Sequence, residues 1–300
     1  MELTPFVLDL DWQEVATKIK RFIRDYMEKT KAKGIVLGLS GGVDSSTAAA
    51  LSALAVSGNK VLGLILPEKE THNIEDVNHA EFVAKKFGFK KETIGITSTL
   101  EAFYNSIRVF NHSDKVCKGN VKARTRMIYI YYYANRLGML VCGSSDKSET
   151  MMGYFTKWGD VAADISPLMD LYKTQVRKLA HHIGIPKEIV TKPSSPALWP
   201  GHLAEDELGI KYEQLDLILY GLEHFMPTNE IAQQLGLERK LVDNVKSRWL
   251  STEHKRRMLL ATKIEYRTVG KCNKSEKAKR RSCNFSRAII DRVCSQRPNL

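Results

Sequence analysis

A chain of 300 residues that is 43% hydrophobic and 27% charged has enough apolar material for a sizeable core, which argues against a wholly disordered protein. No apolar run reaches about 18 residues, and Met1-Glu2-Leu3-Thr4-Pro5 is neither a basic start nor an apolar signal core, so a membrane or exported protein is disfavoured and a cytoplasmic one expected. Five cysteines without CxxC spacing argue against a disulfide framework or a four-ligand zinc site, while the net charge of +12 suggests anionic partners.

Residues 11–33 place Trp12, Val15, Ile19, Phe22, Ile23, Tyr26 and Met27 at helical spacing, with Gly34 as the expected stop. Ile35-Val36-Leu37 then reads as a strand, followed directly by Gly38-Leu39-Ser40-Gly41-Gly42-Val43-Asp44-Ser45-Ser46 and a helix over about 45–56. Glycines let such a loop turn its N–H groups toward one point, and the helix start adds unpaired N–H groups and a positive dipole end. Phosphate is the natural occupant, with the hydroxyls of Ser40, Ser45 and Ser46 beside it. Asp44 would repel phosphate unless a hard cation bridged them, so it reads as a Mg2+ ligand. The loop lacks the Gly-Lys-Ser/Thr ending of a Walker loop, which speaks against transfer of a terminal phosphoryl group.

A second strand, Val61 to Leu66, closes at Pro67; a helix over about 74–87 and a strand near Thr93 to Ile96 follow. This alternation predicts an α/β fold, an open, doubly wound parallel sheet with helices on both faces. A long helix is expected over Gly119–Arg136, with Lys122, Arg124 and Arg126 near its start; bases there oppose the dipole, which makes them candidates for ligand binding. Leu140-Val141-Cys142 is the next strand and runs into Gly143-Ser144-Ser145-Asp146-Lys147-Ser148-Glu149. Ligands of open parallel sheets bind outside the carboxyl ends of strands, so Glu149 can face Asp44 across one metal.

Residues 153–164 mix aromatics, glycine and charge without periodicity, as a loop over a flat ligand would, with Lys157 and Asp164 standing out. An amphipathic helix over Tyr172–Ile183 carries Lys173 in its first turn, and the proline-rich Pro193 to His202 reads as an ordered or closing loop. Three short helices are expected at about 212–221, 228–235 and 239–250. From Glu265 to Leu300 the chain is basic and aperiodic, ten Lys or Arg against three acids. The expected organisation is one domain over 1–264 and a basic, disordered tail over 265–300.

The loop from Gly38 to Ser46 resembles the Ser-Gly-Gly-x-Asp-Ser loop of the ATP pyrophosphatases. Together with Asn120 to Met127, Gly143 to Glu149, Gly153 to Asp160, Leu171 to Gln175, Leu198 to Gly201, Asp206 to Ile210 and Glu253 to Arg256, it makes the chain similar to the ammonia-dependent NAD synthetases from about residue 10 to about residue 257. The resemblance implies an adenine nucleotide alpha hydrolase-like fold and a ligase that amidates deamido-NAD with ammonia and ATP, through an acyl adenylate, to give NAD, AMP and pyrophosphate. It implies that Gly38, Leu39, Ser40, Gly41, Gly42, Val43, Asp44 and Ser45 hold ATP together with Ser144, Lys173 and Ser195, that Asp44 and Glu149 hold magnesium, and that Asp44, Glu149 and Lys173 act in catalysis. Arg124, Lys157, Asp164, His254 and Lys255 would hold deamido-NAD in a homodimer, some of them across the dimer interface. Departures are Ser144 where threonine is usual, Pro196 for a small flexible residue and His202 for a glutamine. The rival reading is a tRNA-modifying ATP pyrophosphatase, which shares the loop and to which the basic tail would lend a grip on RNA; no nucleic-acid partner is expected on the main reading.

Overall fold

The sheet is parallel throughout, with strand order β3-β2-β1-β4, in a computed structural model that describes residues 2–257. The strands are β1 (Ile35–Gly38), β2 (Val61–Ile65), β3 (Lys90–Thr93) and β4 (Leu140–Val141). β1 pairs with β2 from Ile35↔Val61 and with β4 from Ile35↔Leu140, so the chain winds β1, β2, β3 in one direction and then crosses to the other side of β1. That reversal puts the topological switch point between β1 and β4, where the carboxyl ends of neighbouring strands diverge and leave a crevice. The expected α/β class and doubly wound sheet are what is found.

One face of the sheet is covered by α1 (Trp12–Thr30), α2 (Val43–Val56), α3 (Ile74–Lys86) and, further along the chain, α7 (Lys173–His182). α2 is packed between α1, α3 and α7, and 12 of its residues are buried; that explains an Ala-rich sequence with no polar face. The opposite face carries α4 (Thr97–Ser106) and α5 (Lys115–Leu137), with Val36, Leu64, Leu100 and Ala134 buried between. A third apolar cluster joins Met151, Met152 and Tyr172 to the helices that follow the sheet. Those elements are α6 (Lys147–Met152), α9 (Ala204–Leu208), α10 (Tyr212–Glu223), α11 (Thr228–Leu235) and α12 (Arg239–Ser251), whereas α8 (Lys187–Val190) packs Ile189 and Val190 into the first cluster and α13 (Glu253–Arg256) buries no residue.

Some expected boundaries shift. α1 ends at Thr30, with Lys31 in the left-handed conformation as its cap, and not at Gly34. The third strand lies at Lys90–Thr93, ahead of the expected position, because every residue in this edge strand is exposed and no apolar alternation marks it. α5 begins at Lys115, capped by Asp114, so Lys122, Arg124 and Arg126 sit well beyond its first turn, too far from the end for the dipole argument to apply. The expected boundary at residue 264 and the tail over 265–300 lie outside the described residues.

Candidate active site

The loop between β1 and α2 is shaped by backbone requirements before any side chain is considered. Gly41 has φ +80°, and a Cβ there would lie 2.1 Å from the carbonyl oxygen of Asp76, so only glycine fits. α2 starts at Val43 with Gly42 as its N-cap and no side-chain cap, which leaves first-turn N–H groups to an outside acceptor. The Ser40 backbone N–H donates to Ser45 Oγ at 3.2 Å, and the two serine hydroxyls are 2.9 Å apart, so the loop is braced internally. Gly38, Leu39, Ser40, Gly42, Val43, Asp44 and Ser45 all line a cavity of about 470 Å3 at the carboxyl ends of the strands.

Asp44 and Glu149 come together, and with them a third carboxylate absent from the expected set. Asp146, fully buried, accepts the Glu149 backbone N–H at 2.8 Å as the N-cap of α6, and one oxygen from each of Asp44, Asp146 and Glu149 lies within 4.8 Å of the others. The Lys173 ammonium, from the first turn of α7, stands among them at 2.6 Å from Asp44, 2.7 Å from Asp146 and 2.9 Å from Glu149. Three carboxylates and one ammonium leave a formal charge of −2, and Asp44 Oδ1 is buried without a hydrogen-bond partner. That donor set, hard carboxylate oxygens from three residues, fits a divalent cation such as Mg2+. Burial, then the charges of Asp146 and Asp44 against that of Lys173, pushes the Glu149 carboxyl upward, while the three carboxylates hold the Lys173 ammonium protonated despite its burial.

A buried network fixes the two helix starts. Asp216 of α10 accepts from Ser148 Oγ at 2.5 Å and from Thr174 N and Oγ1 at 2.8 and 2.7 Å, while Ser148 Oγ accepts the Lys173 N–H at 3.0 Å. Glu149 and Lys173 are thereby set against each other by a residue that touches neither side chain.

The other expected residues divide. Ser144, Ser195 and Lys255 line the cavity. Arg124, Lys157 and His254 form a separate chain: Arg124 donates to the Lys157 carbonyl at 3.2 Å and Lys157 Nζ donates to the His254 carbonyl at 2.8 Å. None of the three, nor Asp164, is among the cavity's lining residues; the exposed Asp164 accepts the Val141 N–H at 2.8 Å. Lys122 is buried and held by Glu68 and Glu70, each at 2.8 Å, which removes it from the ligand candidates. Arg126 does face the cavity. His202 stacks on Trp199 with centroids 3.5 Å apart and meets Glu207 at 2.6 Å and the Tyr154 hydroxyl at 3.0 Å, bracing the proline-rich loop against the cavity wall. Spacing alone exposed Glu149 but not Asp146, because an Asp three residues before a helical Glu reads as a plain cap.

Residues 15–259 match the family model for NAD synthase. An NH(3)-dependent NAD(+) synthetase of Hyperthermus butylicus is 45% identical over 251 residues, 83% of this chain and 90% of that protein. Among solved structures, NMN synthetase from Francisella tularensis aligns with a TM-score of 0.75 and 34% identity, over 85% of this chain and 99% of that one. The NH3-dependent NAD synthetase from Campylobacter jejuni aligns with a TM-score of 0.71 and 27% identity, over 85% of this chain and all of that one.

Proposed function

We infer the reaction from the premise that this chain belongs to the NAD synthase family. It is a ligase that forms a C–N bond: the carboxylate of deamido-NAD is amidated with ammonia at the expense of ATP, giving NAD, AMP and pyrophosphate. The RNA-modifying alternative is not favoured, since residues 15–259 match the synthetase family as one stretch. The observation that carries the reading is the convergence of Asp44, Glu149 and Lys173 beside an uncapped helix start at the β1–β4 switch point.

The roles of individual residues are our proposal. The loop from Gly38 to Ser45 binds the ATP phosphates through backbone N–H groups and serine hydroxyls, with Ser144 and Ser195 on the cavity walls nearby. Asp44 and Glu149 would hold Mg2+, which would supply charge neutralisation for the departing pyrophosphate. Lys173 adds a fixed positive charge at the same place, oriented before the substrate arrives. The nicotinate carboxylate then attacks the α-phosphorus and pyrophosphate leaves; the nitrogen lone pair of ammonia attacks the acyl carbon, the C–O bond to AMP breaks, and the surplus proton passes to solvent. Lys255, in the cavity, and the outer chain of Arg124, Lys157 and His254, with Asp164, bind deamido-NAD.

The protein acts as a homodimer. Arg124, Ile128, Tyr132 and Arg136 fall four residues apart on one exposed stripe of α5, and Ile128 and Tyr132 are 62% and 66% exposed. A second copy on that stripe lies against Arg124. We place the enzyme in the cytoplasm, with its soluble nucleotide substrates; no described helix is long and apolar enough to cross a membrane.

The test is to incubate the full chain with ATP, Mg2+, deamido-NAD and ammonium and to measure NAD and AMP. Equal amounts of both are expected; ADP in place of AMP, or no NAD, defeats the reading. Nicotinate mononucleotide as a second acid measures how far the enzyme tolerates a mononucleotide.

A further inference from the structure

Arg126 is the one basic residue of the Lys122, Arg124 and Arg126 group whose side chain faces the cavity. Lys122 is consumed by Glu68 and Glu70, and Arg124 lies on the outer surface. The Nε of Arg126 donates to the carbonyl of Leu66, just past β2, at 3.1 Å. That bond anchors the guanidinium and leaves the outer nitrogens with no hydrogen bond or ion pair among the described residues. The nearest acids do not satisfy it. Glu68 is already 2.8 Å from Lys122, and Asp160, which accepts the Thr156 N–H at 2.8 Å, is pushed toward its neutral form by burial. Burial likewise pulls the guanidinium down from its usual value, as expected of a deep cation short of a counter-charge.

A planar fork in a cavity, pinned at one end and open at the other, suits a planar two-oxygen anion. The phosphates of ATP have their own site at the β1–α2 loop, adenine is neutral, and ammonium is repelled. The carboxylate of the acid substrate is the remaining match, and Met127 and Ile130 line the cavity beside Arg126 as an apolar wall for the ring that carries it. We propose that Arg126 recognises the carboxylate of deamido-NAD and thereby distinguishes the acid substrate from the amide product. Amidation replaces an anion by a neutral group that cannot accept two charged hydrogen bonds, so the same contact that holds substrate lets product go.

This assignment rests on the amidation reaction, and binding measurements separate the two. Wild-type enzyme, Arg126→Gln and Arg126→Lys are titrated calorimetrically with deamido-NAD, with NAD and with α,β-methylene ATP. These dinucleotides differ in the carboxylate alone. Arg126→Gln should lose about tenfold or more of its affinity for deamido-NAD, with NAD and the ATP analogue within about twofold of wild type. Arg126→Lys, which keeps the charge without the fork, should fall between them. Equal loss for both dinucleotides places Arg126 on their shared pyrophosphate or ribose and overturns the proposal, as does a loss confined to the ATP analogue or no change. If Arg126→Gln has an altered near-ultraviolet spectrum or melting point, the ratio of the two dinucleotide affinities in Arg126→Lys decides the matter. Wild-type enzyme that forms NAD while the variants keep its affinity ratio defeats the role of Arg126 only; wild-type enzyme that forms no NAD defeats the reaction.

Discussion

Charge placement around Lys173 is the feature on which single substitutions should act most sharply. The ammonium is fully buried and bounded by Asp44, Asp146 and Glu149, so removing one carboxylate charge changes the field at the phosphate site without opening a cavity. Asp44→Asn and Glu149→Gln are therefore expected to fold normally and to lose about 100-fold or more in turnover; near-normal turnover in both would remove them from catalysis. Asp216 gives a prediction of a different kind. Burial pushes its carboxyl up to about 7, against three hydrogen-bond donors that favour the charged form. Its folded value thus exceeds the unfolded one, near 3.8, and between these two the native state holds a proton that the unfolded state has lost. Stability should fall as pH rises across that window, by up to about 1.4 kcal/mol per pH unit from this residue, and recover as pH is lowered. Urea midpoints at pH 5 and pH 8 measure it: the difference between them should shrink in Asp216→Asn, and an unchanged difference would show that Asp216 stays ionised throughout.

At the scale of elements, the β1–α2 unit carries the phosphate site we propose and should tolerate the least change. Alanine at Gly41 would have to hold φ +80° and to displace the Asp76 carbonyl from 2.1 Å, at a combined cost of about 2 kcal/mol or more. Gly41→Ala should lower the melting temperature by several degrees and abolish ATP binding in calorimetry; unchanged ATP affinity would mean that the loop does not cradle phosphate. This unit was also the most legible part of the sequence, since a strand, a glycine turn and a small-residue helix leave few alternatives. Elements without such punctuation were harder to read. α4, from Thr97 to Ser106, buries only Leu100 and so shows no apolar stripe from which periodicity predicts a helix. α5 starts four residues ahead of the expected Gly119, because Lys115, Val116 and Cys117 are exposed and mark no buried stripe, and the cap Asp114 looks like any loop aspartate. Asp146 and Asp216 escaped for a related reason: their importance lies in contacts across 27 and 68 residues, to Lys173 and Ser148, which no local pattern encodes.

For the molecule as a whole, the question is why most of the residues proposed to bind deamido-NAD lie apart from the cavity. Asp44, Glu149 and Lys255 line the cavity, whereas Arg124, Lys157 and His254 are strung along the outside, joined by two hydrogen bonds to backbone carbonyls. An extended dinucleotide reaching both sets needs a second wall over the outer one, which a second copy packed on the α5 stripe would supply in the homodimer we propose. Ile128 and Tyr132 are the apolar centre of that stripe; being exposed in the single chain, they can be changed without disturbing its core. The variant Ile128→Lys with Tyr132→Lys puts two added charges between Arg124 and Arg136, and desolvating such a cluster against its copy is prohibitive. Sedimentation should then show a monomer where the wild type is a dimer, with an unchanged circular dichroism spectrum. Affinity for an ATP analogue should be retained, because the phosphate loop and the carboxylate cluster lie within one chain. The KM for deamido-NAD should rise by about tenfold or more, the loss of one set of charge-assisted contacts. A wild type that is monomeric and fully active, or a monomeric variant with an unaltered KM, would show that each chain completes its own dinucleotide site.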